Sequence, residues 1–363
     1  MSNFDLSSIS LPLPQESPSS SVPAKSSSSS PSSSPSSSSS SSKYKLAALY
    51  QFIEIHEIQK LYDYIEEICH KYNILGALII ANEGINGTIA GSENNLNTMV
   101  QLLCNYLNDQ CLVTNRNDNQ FGMEIKYSYS NDKPFHRFKV TIKKEIVTMG
   151  YDDIKPAEQR GEYIDVNEWN NLITDPEVVL IDTRNQYEVD IGTFQGATDP
   201  KTTTFREFPK YVEENLNPSI HKKVAMFCTG GIRCEKASAY MKSKGFENVY
   251  HLKGGILKYL EHVEENESLW NGECYVFDSR TSVKHGLEQG TYTPCRSCRR
   301  PLSPNDILAS EYEEGVCCQY CYNTLTDKQK EGARHRNLQM KIAQENGTCH
   351  LGQKYLPHHK DKM

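Results

Sequence analysis

The stretch Phe227-Cys228-Thr229-Gly230-Gly231-Ile232-Arg233-Cys234-Glu235-Lys236-Ala237-Ser238 decides how the chain is read. It begins as the end of Lys223-Val-Ala-Met-Phe227, a short continuous apolar run of the kind that forms a strand buried on both faces. A helix-competent run begins near Cys234. Cys228 therefore stands at the carboxyl end of a strand, where open α/β sheets place their ligands. Gly230 and Gly231 let the backbone curl so that successive N–H groups turn toward the sulfur. The helix that follows adds the positive end of its dipole. Arg233 brings a cation close by. Thr229, Gly230, Gly231, Ile232 and Arg233 thus form an anion-cradling loop that lowers a thiol pKa and stabilises a thiolate or persulfide at Cys228. An inert cysteine at a strand end is the plainer alternative. The glycines, the arginine and the strand–loop–helix context weigh together against it.

Such loops also hold phosphate, so a phosphatase is the competing chemistry. The tyrosine-phosphatase pattern has one residue more between its Cys and Arg than the four found here, Thr229 to Ile232. The shorter loop fits a sulfur better than a phosphoryl group. Outward from the loop, Val178-Val-Leu-Ile-Asp182 is a second buried apolar run and Val249-Tyr-His-Leu252 a further strand, with helical stretches between them. This predicts a doubly wound parallel sheet over 160–265, within a chain of α/β class. The loop resembles a rhodanese active-site loop, and the surroundings agree. Leu180-Ile-Asp182-Thr-Arg184, Tyr187-Glu188 and Gly192-Thr-Phe-Gln-Gly-Ala197 resemble that family's first strand and following turn, with Asp182 and Arg184 in supporting positions. Val249-Tyr-His-Leu-Lys-Gly-Gly255 resembles its last strand and loop. Rhodaneses often carry His after the glycine corresponding to Gly192; here Thr193 stands there, a change expected to alter packing rather than chemistry.

Toward the amino terminus, Lys45 to Phe52 reads as a strand and Glu57 to Tyr72 as a helix with Ile58, Leu61, Ile65 and Ile68 on one face. Ala77 to Ala81, a turn at Asn82-Glu-Gly-Ile-Asn-Gly87 and Thr88 to Ala90 read as a hairpin. Glu93 to Leu107 is a second helix with Ser92 as N-cap, and Met123–Ser128 and Lys139–Val147 supply further strands. The order predicts a ferredoxin-like α+β sandwich over 44–150. Residues 26–42 are all serine except Pro31 and Pro35, so 1–43 is expected to be a disordered tail, and 346–363 is read as a tail. The first fifteen residues hold Asp5, no Lys or Arg and no apolar run, which is not the pattern of a secretory signal or transit peptide. No stretch approaches the ~18 apolar residues of a membrane span. A soluble, cytoplasmic protein without a membrane partner is expected.

Twelve cysteines in such a protein should be mostly reduced. Cys295-Arg-Ser-Cys298 and Cys318-Gln-Tyr-Cys321 are two CxxC knuckles separated by nineteen residues, a spacing suited to a structural Zn²⁺ held by Cys295, Cys298, Cys318 and Cys321 in a small Cys-rich module over 266–345. Free surface thiols are the alternative. The net charge of −7 gives no general reason for a nucleic-acid partner, but from Tyr322 to Met363 eight Lys or Arg stand against four acidic residues, with His335, His350, His358 and His359. Arg296, Arg299, Arg300, Arg334, His335 and Arg336, with Tyr292, Tyr312, Tyr320 and Tyr322, form a candidate phosphate-and-stacking surface, to which Lys143 and Lys144 are candidates to contribute. A merely solubilising surface is the alternative.

The resemblance extends beyond the rhodanese segment. Asn82-Glu-Gly-Ile-Asn-Gly-Thr88, Lys143-Lys-Glu-Ile-Val-Thr-Met-Gly150, Ile191-Gly-Thr-Phe194, Asp199-Pro-Lys-Thr202, Phe205-Arg-Glu-Phe208, the Cys228–Ala237 stretch and Trp270-Asn-Gly-Glu-Cys-Tyr-Val-Phe-Asp278 together resemble the rhodanese-like tRNA uridine hydroxylases, from about Tyr44 to Ala343. The resemblance implies oxygen-dependent formation of 5-hydroxyuridine at the wobble position (34), with the tRNA anticodon loop as substrate and molecular oxygen as co-substrate. No facial triad for iron and no Gly-rich dinucleotide loop accompanies these motifs. Cys234 is a candidate to resolve an oxidised or persulfide form of Cys228; a small helix residue filling space is its alternative role. A plain thiosulfate or persulfide sulfurtransferase is the second functional reading, and a non-catalytic scaffold the third.

Overall fold

The computed structural model describes residues 44–110, 122–151 and 153–346. The serine-rich tail 1–43 and the stretch 347–363, with His350, His358 and His359, lie outside the described residues. In the first domain, β1 (Tyr44–Phe52), α1 (Ile58–Lys71), β2 (Leu75–Ala81), β3 (Gly84–Gly91), α2 (Glu93–Gln110), β4 (Glu124–Ser130) and β5 (Phe138–Ile142) follow one another. The sheet order is β4-β1-β3-β2-β5. Its first four strands are antiparallel neighbours, as a split βαβ arrangement requires, and β5 adds a fifth strand parallel to β2. Both helices cover one face because their apolar residues recur at helical spacing. Leu61, Ile65 and Ile68 of α1 and Leu96, Met99, Val100, Leu103 and Leu107 of α2 are buried against Leu49, Leu78, Ile80 and Ile89 of the sheet. Ser92 precedes α2, and its carbonyl accepts the Leu96 N–H at 2.9 Å.

Two details depart from the sequence expectation. The turn between β2 and β3 is only Asn82-Glu83, because Gly84 to Gly87 pair with both neighbouring strands and are drawn into β3. The strand expected over Lys139–Val147 ends at Ile142. The chain beyond it is held instead by contacts to the second domain described below.

The second domain contains α3 (Pro156–Gln159), β6 (Glu162–Ile164), α4 (Val166–Ile173), β7 (Val178–Asp182), α5 (Gln186–Val189), β8 (Gly192–Phe194), α6 (Phe208–Asn215), β9 (Lys223–Phe227), α7 (Ile232–Ser243), β10 (Asn248–Leu252) and α8 (Gly255–His262). Four parallel strands lie in the order β6-β10-β9-β7. Alternate residues of the continuous apolar strands feed two separate cores. Ile181, Val224, Met226 and Val249 pack with Phe208, Val212, Ala237 and Tyr240 of α6 and α7. Leu180, Ala225, Phe227 and Leu252 pack with Trp169, Ile256 and Tyr259 of α4 and α8. Burial on both faces is why these strands read as unbroken apolar runs.

A third region carries β11 (Trp270–Gly272), which pairs with β8, then β12 (Cys274–Tyr275) with β13 (Ser282–Val283), β14 (Thr293–Pro294) with β15 (Pro301–Leu302), and α9 (Asp327–Glu345). The core around β15 is small: Cys295, Leu302, Val316, Cys317, Cys318, Cys321 and Ala333. No helix among the described residues is long and apolar enough to cross a membrane.

Candidate functional site

Strand β9 ends at Phe227, and Cys228, only 1% exposed, opens the loop. The helix starts at Ile232, two residues earlier than expected, because Gly231 takes the N-cap position in a left-handed conformation (φ 100°) that disfavours a side chain. This conformation aims the Gly231 N–H at Cys228 Sγ, 3.1 Å away. The loop is fixed from behind by α8, whose Ile256 and Leu257 N–H groups donate to the carbonyls of Cys228 and Thr229 at 3.0 and 3.1 Å. Gly255 (φ 64°) permits this approach: a Cβ there would lie 2.5 Å from the Cys228 carbonyl oxygen. The Val249–Gly255 segment thus docks the thiol loop from its own strand end.

Burial is the largest influence on the Cys228 thiol and pushes its pKa up. It is outweighed by a hydrogen bond from the Cys234 thiol, then the Arg233 charge, then the backbone N–H groups of Cys234 and Gly231, and the thiol is pulled down to about 6. Cys234 moves the other way, by burial first and then by its role as donor to Cys228. Its sulfur also lies 3.5 Å from the Thr183 hydroxyl. Cys234, the candidate resolving thiol or space-filler, is fully buried, and its thiol is the foremost of the groups that lower the Cys228 pKa. A depressed acid is ionised in the folded state before it is in the unfolded one, so its contribution to stability is complete above the ordinary thiol range (roughly pH 8.5) and is lost as pH falls through about 6. Alkylation of Cys228 by iodoacetamide, followed by peptide mass spectrometry, should show a midpoint near pH 6 that rises in Cys234→Ala. A midpoint in the ordinary thiol range would contradict this account.

Arg233 does not offer a free charge. Its guanidinium holds the Glu188 carboxylate through two bonds of 2.6 and 2.7 Å, and both groups are buried. Glu188 was not singled out as a site residue. Its signal was the Asn185-x-x-Glu188 capping box that opens α5 and turns the carboxylate inward. Asp182 and Arg184 form a separate buried pair at 2.6 Å, and Arg184 also donates to the carbonyls of Glu188 and Gly192. The Arg184 guanidinium lies 5.1 Å from the Trp270 ring centroid. These two residues brace the loop from behind through Glu188. Thr193, where rhodaneses often have His, donates to Asp182 Oδ2 at 2.8 Å and so joins this brace.

Three of the motifs quoted above converge on one buried cation. Lys236 of α7, fully buried, donates to Glu83 in the β2–β3 turn at 2.8 Å, to Glu145 at 2.6 Å and to the Val147 carbonyl at 3.3 Å. Glu145 also accepts the N–H groups of Met149 and Gly150, and Glu83 that of Ile146. This is why Lys143–Gly150 leaves the sheet: its backbone and carboxylate are turned toward Lys236. Nearby, Tyr163 donates to buried Glu235 at 2.6 Å, and Tyr50 of β1 packs against Gly231. The first domain therefore closes over the helix that follows the thiol loop.

In the Cys-rich region, the thiol sulfurs of Cys295, Cys298, Cys318 and Cys321 lie within 4.8 Å of one another. Three of their separations are 3.6 to 3.8 Å. A zinc ion with Zn–S bonds of ~2.3 Å needs tetrahedral edges of ~3.8 Å, so the four residues fit this metal. Cys317 stands apart and donates to the Glu311 carbonyl at 3.4 Å. Of the surface expected to meet phosphates, Arg296, Arg299, Arg300 and Arg336 line one cleft. Arg334 is tied to Glu313 at 2.6 and 2.7 Å, and Tyr322 is covered by Lys330. Tyr292, Tyr312, Tyr320, His335, Lys143 and Lys144 do not line that cleft.

Residues 44–146 match the UPF0176 acylphosphatase-like domain family, and residues 165–262 match the rhodanese-like domain family. Among solved structures, the rhodanese-like domain of the Alr3790 protein from Anabaena is 18% identical, covering 30% of this chain and 78% of its own, with a TM-score of 0.25. A rhodanese-related protein from Thermoplasma volcanium is 19% identical over 28% of this chain and 91% of its own, with a TM-score of 0.22. A Rhodopseudomonas palustris protein described as of unknown function, possible tyrosine phosphatase, is 20% identical over 31% of this chain and 91% of its own, with a TM-score of 0.26.

Proposed function

We propose that this chain, which belongs to the family joining a UPF0176 acylphosphatase-like domain to a rhodanese-like domain and so has the architecture of the tRNA uridine(34) hydroxylases, converts the wobble uridine of tRNA to 5-hydroxyuridine. The observation that carries the reading is an intact thiol loop, with Cys228 Sγ held by the Gly231 N–H at 3.1 Å, in a rhodanese domain clamped to that particular first domain through Lys236. A sulfur carrier alone has no need of such a clamp. Molecular oxygen is the co-substrate in this reading: one of its atoms enters the uridine C5–H bond, and a two-electron reductant takes the other to water. The chain's own residues prepare the thiol. The loop N–H groups hold negative charge on Cys228, the Cys234 thiol donates to it, and Glu188 fixes Arg233 so that neither the charge nor the loop wanders. The anticodon loop is the proposed nucleic-acid partner.

The anion-cradling loop by itself favours a second reading, transfer of sulfane sulfur from thiosulfate or a persulfide through a Cys228 persulfide. One experiment separates the two. Nucleoside mass spectrometry of tRNA from cells carrying Cys228→Ser should show loss of 5-hydroxyuridine and its derivatives. Unchanged 5-hydroxyuridine together with lost thiosulfate:cyanide sulfurtransferase activity would replace the first reading by the second.

A further inference from the structure

An open cleft of about 1740 Å³ runs between the first domain and the Cys-rich region and reaches Tyr187 at the edge of the rhodanese domain. Six of its side chains are basic: Arg137 and Lys139 on one wall, and Arg296, Arg299, Arg300 and Arg336 on the other. Among the described residues none of the six makes an ion pair, whereas Arg184, Arg233, Arg280 and Arg334 all do. In a chain of net charge −7 carboxylates are plentiful, so a cluster of unneutralised cations marks a surface arranged for an external anion. Of the two acidic residues that line the cleft, Asp278 is held by Arg280 at 2.6 Å, and Glu66 makes no ion pair with any of the six cations.

The second observation is aromatic. Phe277, 61% exposed, stands in the cleft next to Tyr275, with ring centroids 5.0 Å apart and the planes at 88°. Tyr275 meets Tyr187 at 5.3 Å and 84°. Tyr187 immediately precedes Glu188, the carboxylate that holds Arg233 in the thiol loop. The aromatic series thus leads from open solvent to the thiol loop. Exposed rings beside unpaired arginines suit a ligand with regularly spaced anions and accessible π-faces, which is a single-stranded polynucleotide. In a duplex the base faces are already stacked and give Phe277 nothing to bind.

We propose that this cleft binds a single-stranded polynucleotide, with its phosphates on the six cations and a base on Phe277, directed toward Tyr187. The proposal deepens the tRNA reading above and rests on it. The test is fluorescence anisotropy of the full chain with labelled oligouridylate, and with an RNA duplex of equal length, across a range of salt. The single strand is expected to bind more tightly than the duplex. Phe277→Ala should weaken oligouridylate binding by about fivefold or more. Arg296→Ala and Arg336→Ala should each weaken binding and reduce the slope of log affinity against log salt by about 0.7. All three side chains are exposed, and thermal melting checks that the variants fold. Equal affinity for the duplex, indifference to Phe277→Ala, or displacement by polyglutamate as effective as by unlabelled RNA would each overturn the proposal. If oligouridylate responds as expected while cellular 5-hydroxyuridine survives Cys228→Ser, the groove stands and the hydroxylase reading falls. If 5-hydroxyuridine is lost while oligouridylate ignores Phe277→Ala, the reverse holds.

Discussion

Lys236→Met is expected to destabilise the folded chain by about 3–5 kcal/mol, the usual cost of removing one partner from a buried ion pair. Methionine keeps most of the stem's volume, so the loss is electrostatic rather than a cavity. Lys236 is fully buried, and without it the Glu83 and Glu145 carboxylates face each other with only backbone N–H groups for compensation. Burial already raises the pKa of Glu83 even with the lysine present. Urea denaturation of the single variant measures the effect. The variant Lys236→Met/Glu83→Gln/Glu145→Gln should recover most of the loss, because replacing a whole buried pair by neutral groups is often nearly neutral. A loss in the single variant of under about 1 kcal/mol, the value of an exposed pair, would mean the clamp contributes little. Because the three residues come from three separate segments, the variant should also loosen the first domain from α7, visible as faster amide exchange in Lys143–Gly150.

The second large effect concerns the four thiols. Cys298→Ala should abolish stoichiometric zinc and collapse the region around β14 and β15, since structural zinc in small modules contributes roughly 10–16 kcal/mol of binding free energy that is also folding free energy. The local core cannot substitute for the metal. Beyond the cysteines it contains only Leu302, Val316 and Ala333 fully buried. Metal analysis of the purified protein and limited proteolysis between β14 and α9 are the measurements. Cys317→Ala is the control: its sulfur donates to the Glu311 carbonyl and stands outside the set of four, so zinc should be retained. Retention of zinc by Cys298→Ala would show that the four thiols are not the ligand set.

Much of the architecture was legible because it depends on local chemistry. Two-sided burial leaves continuous apolar runs such as Val178–Asp182 and Lys223–Phe227, and these mark a parallel sheet whatever surrounds them. The helical spacing of Leu61, Ile65 and Ile68 marks α1 in the same way. Two CxxC knuckles announce a four-thiol set, since each pair can supply two ligands from one turn. The candidate thiol was legible from the glycines that must follow it. Less legible were residues whose partners lie far along the chain. Glu188 is 45 positions from Arg233, and Lys236 is 153 from Glu83; no local pattern pairs them.

Cys228 itself shows the division most plainly. That a cysteine follows a buried strand and precedes a glycine-bearing loop and a helix can be read from the residues alone, because strand burial and glycine's freedom at positive φ are properties of the residues concerned. What acts on that sulfur depends on the folded arrangement around it. The Cys234 thiol rather than an unpaired Arg233 heads the influences that lower its pKa, since Glu188, brought in by α5, already occupies the guanidinium. The carbonyls of Cys228 and Thr229 are held by the start of α8, which the sheet order places beside them. Charge and hydrogen bonding act through space over a few ångströms, and distance along the chain carries no information about them until the fold brings the groups together.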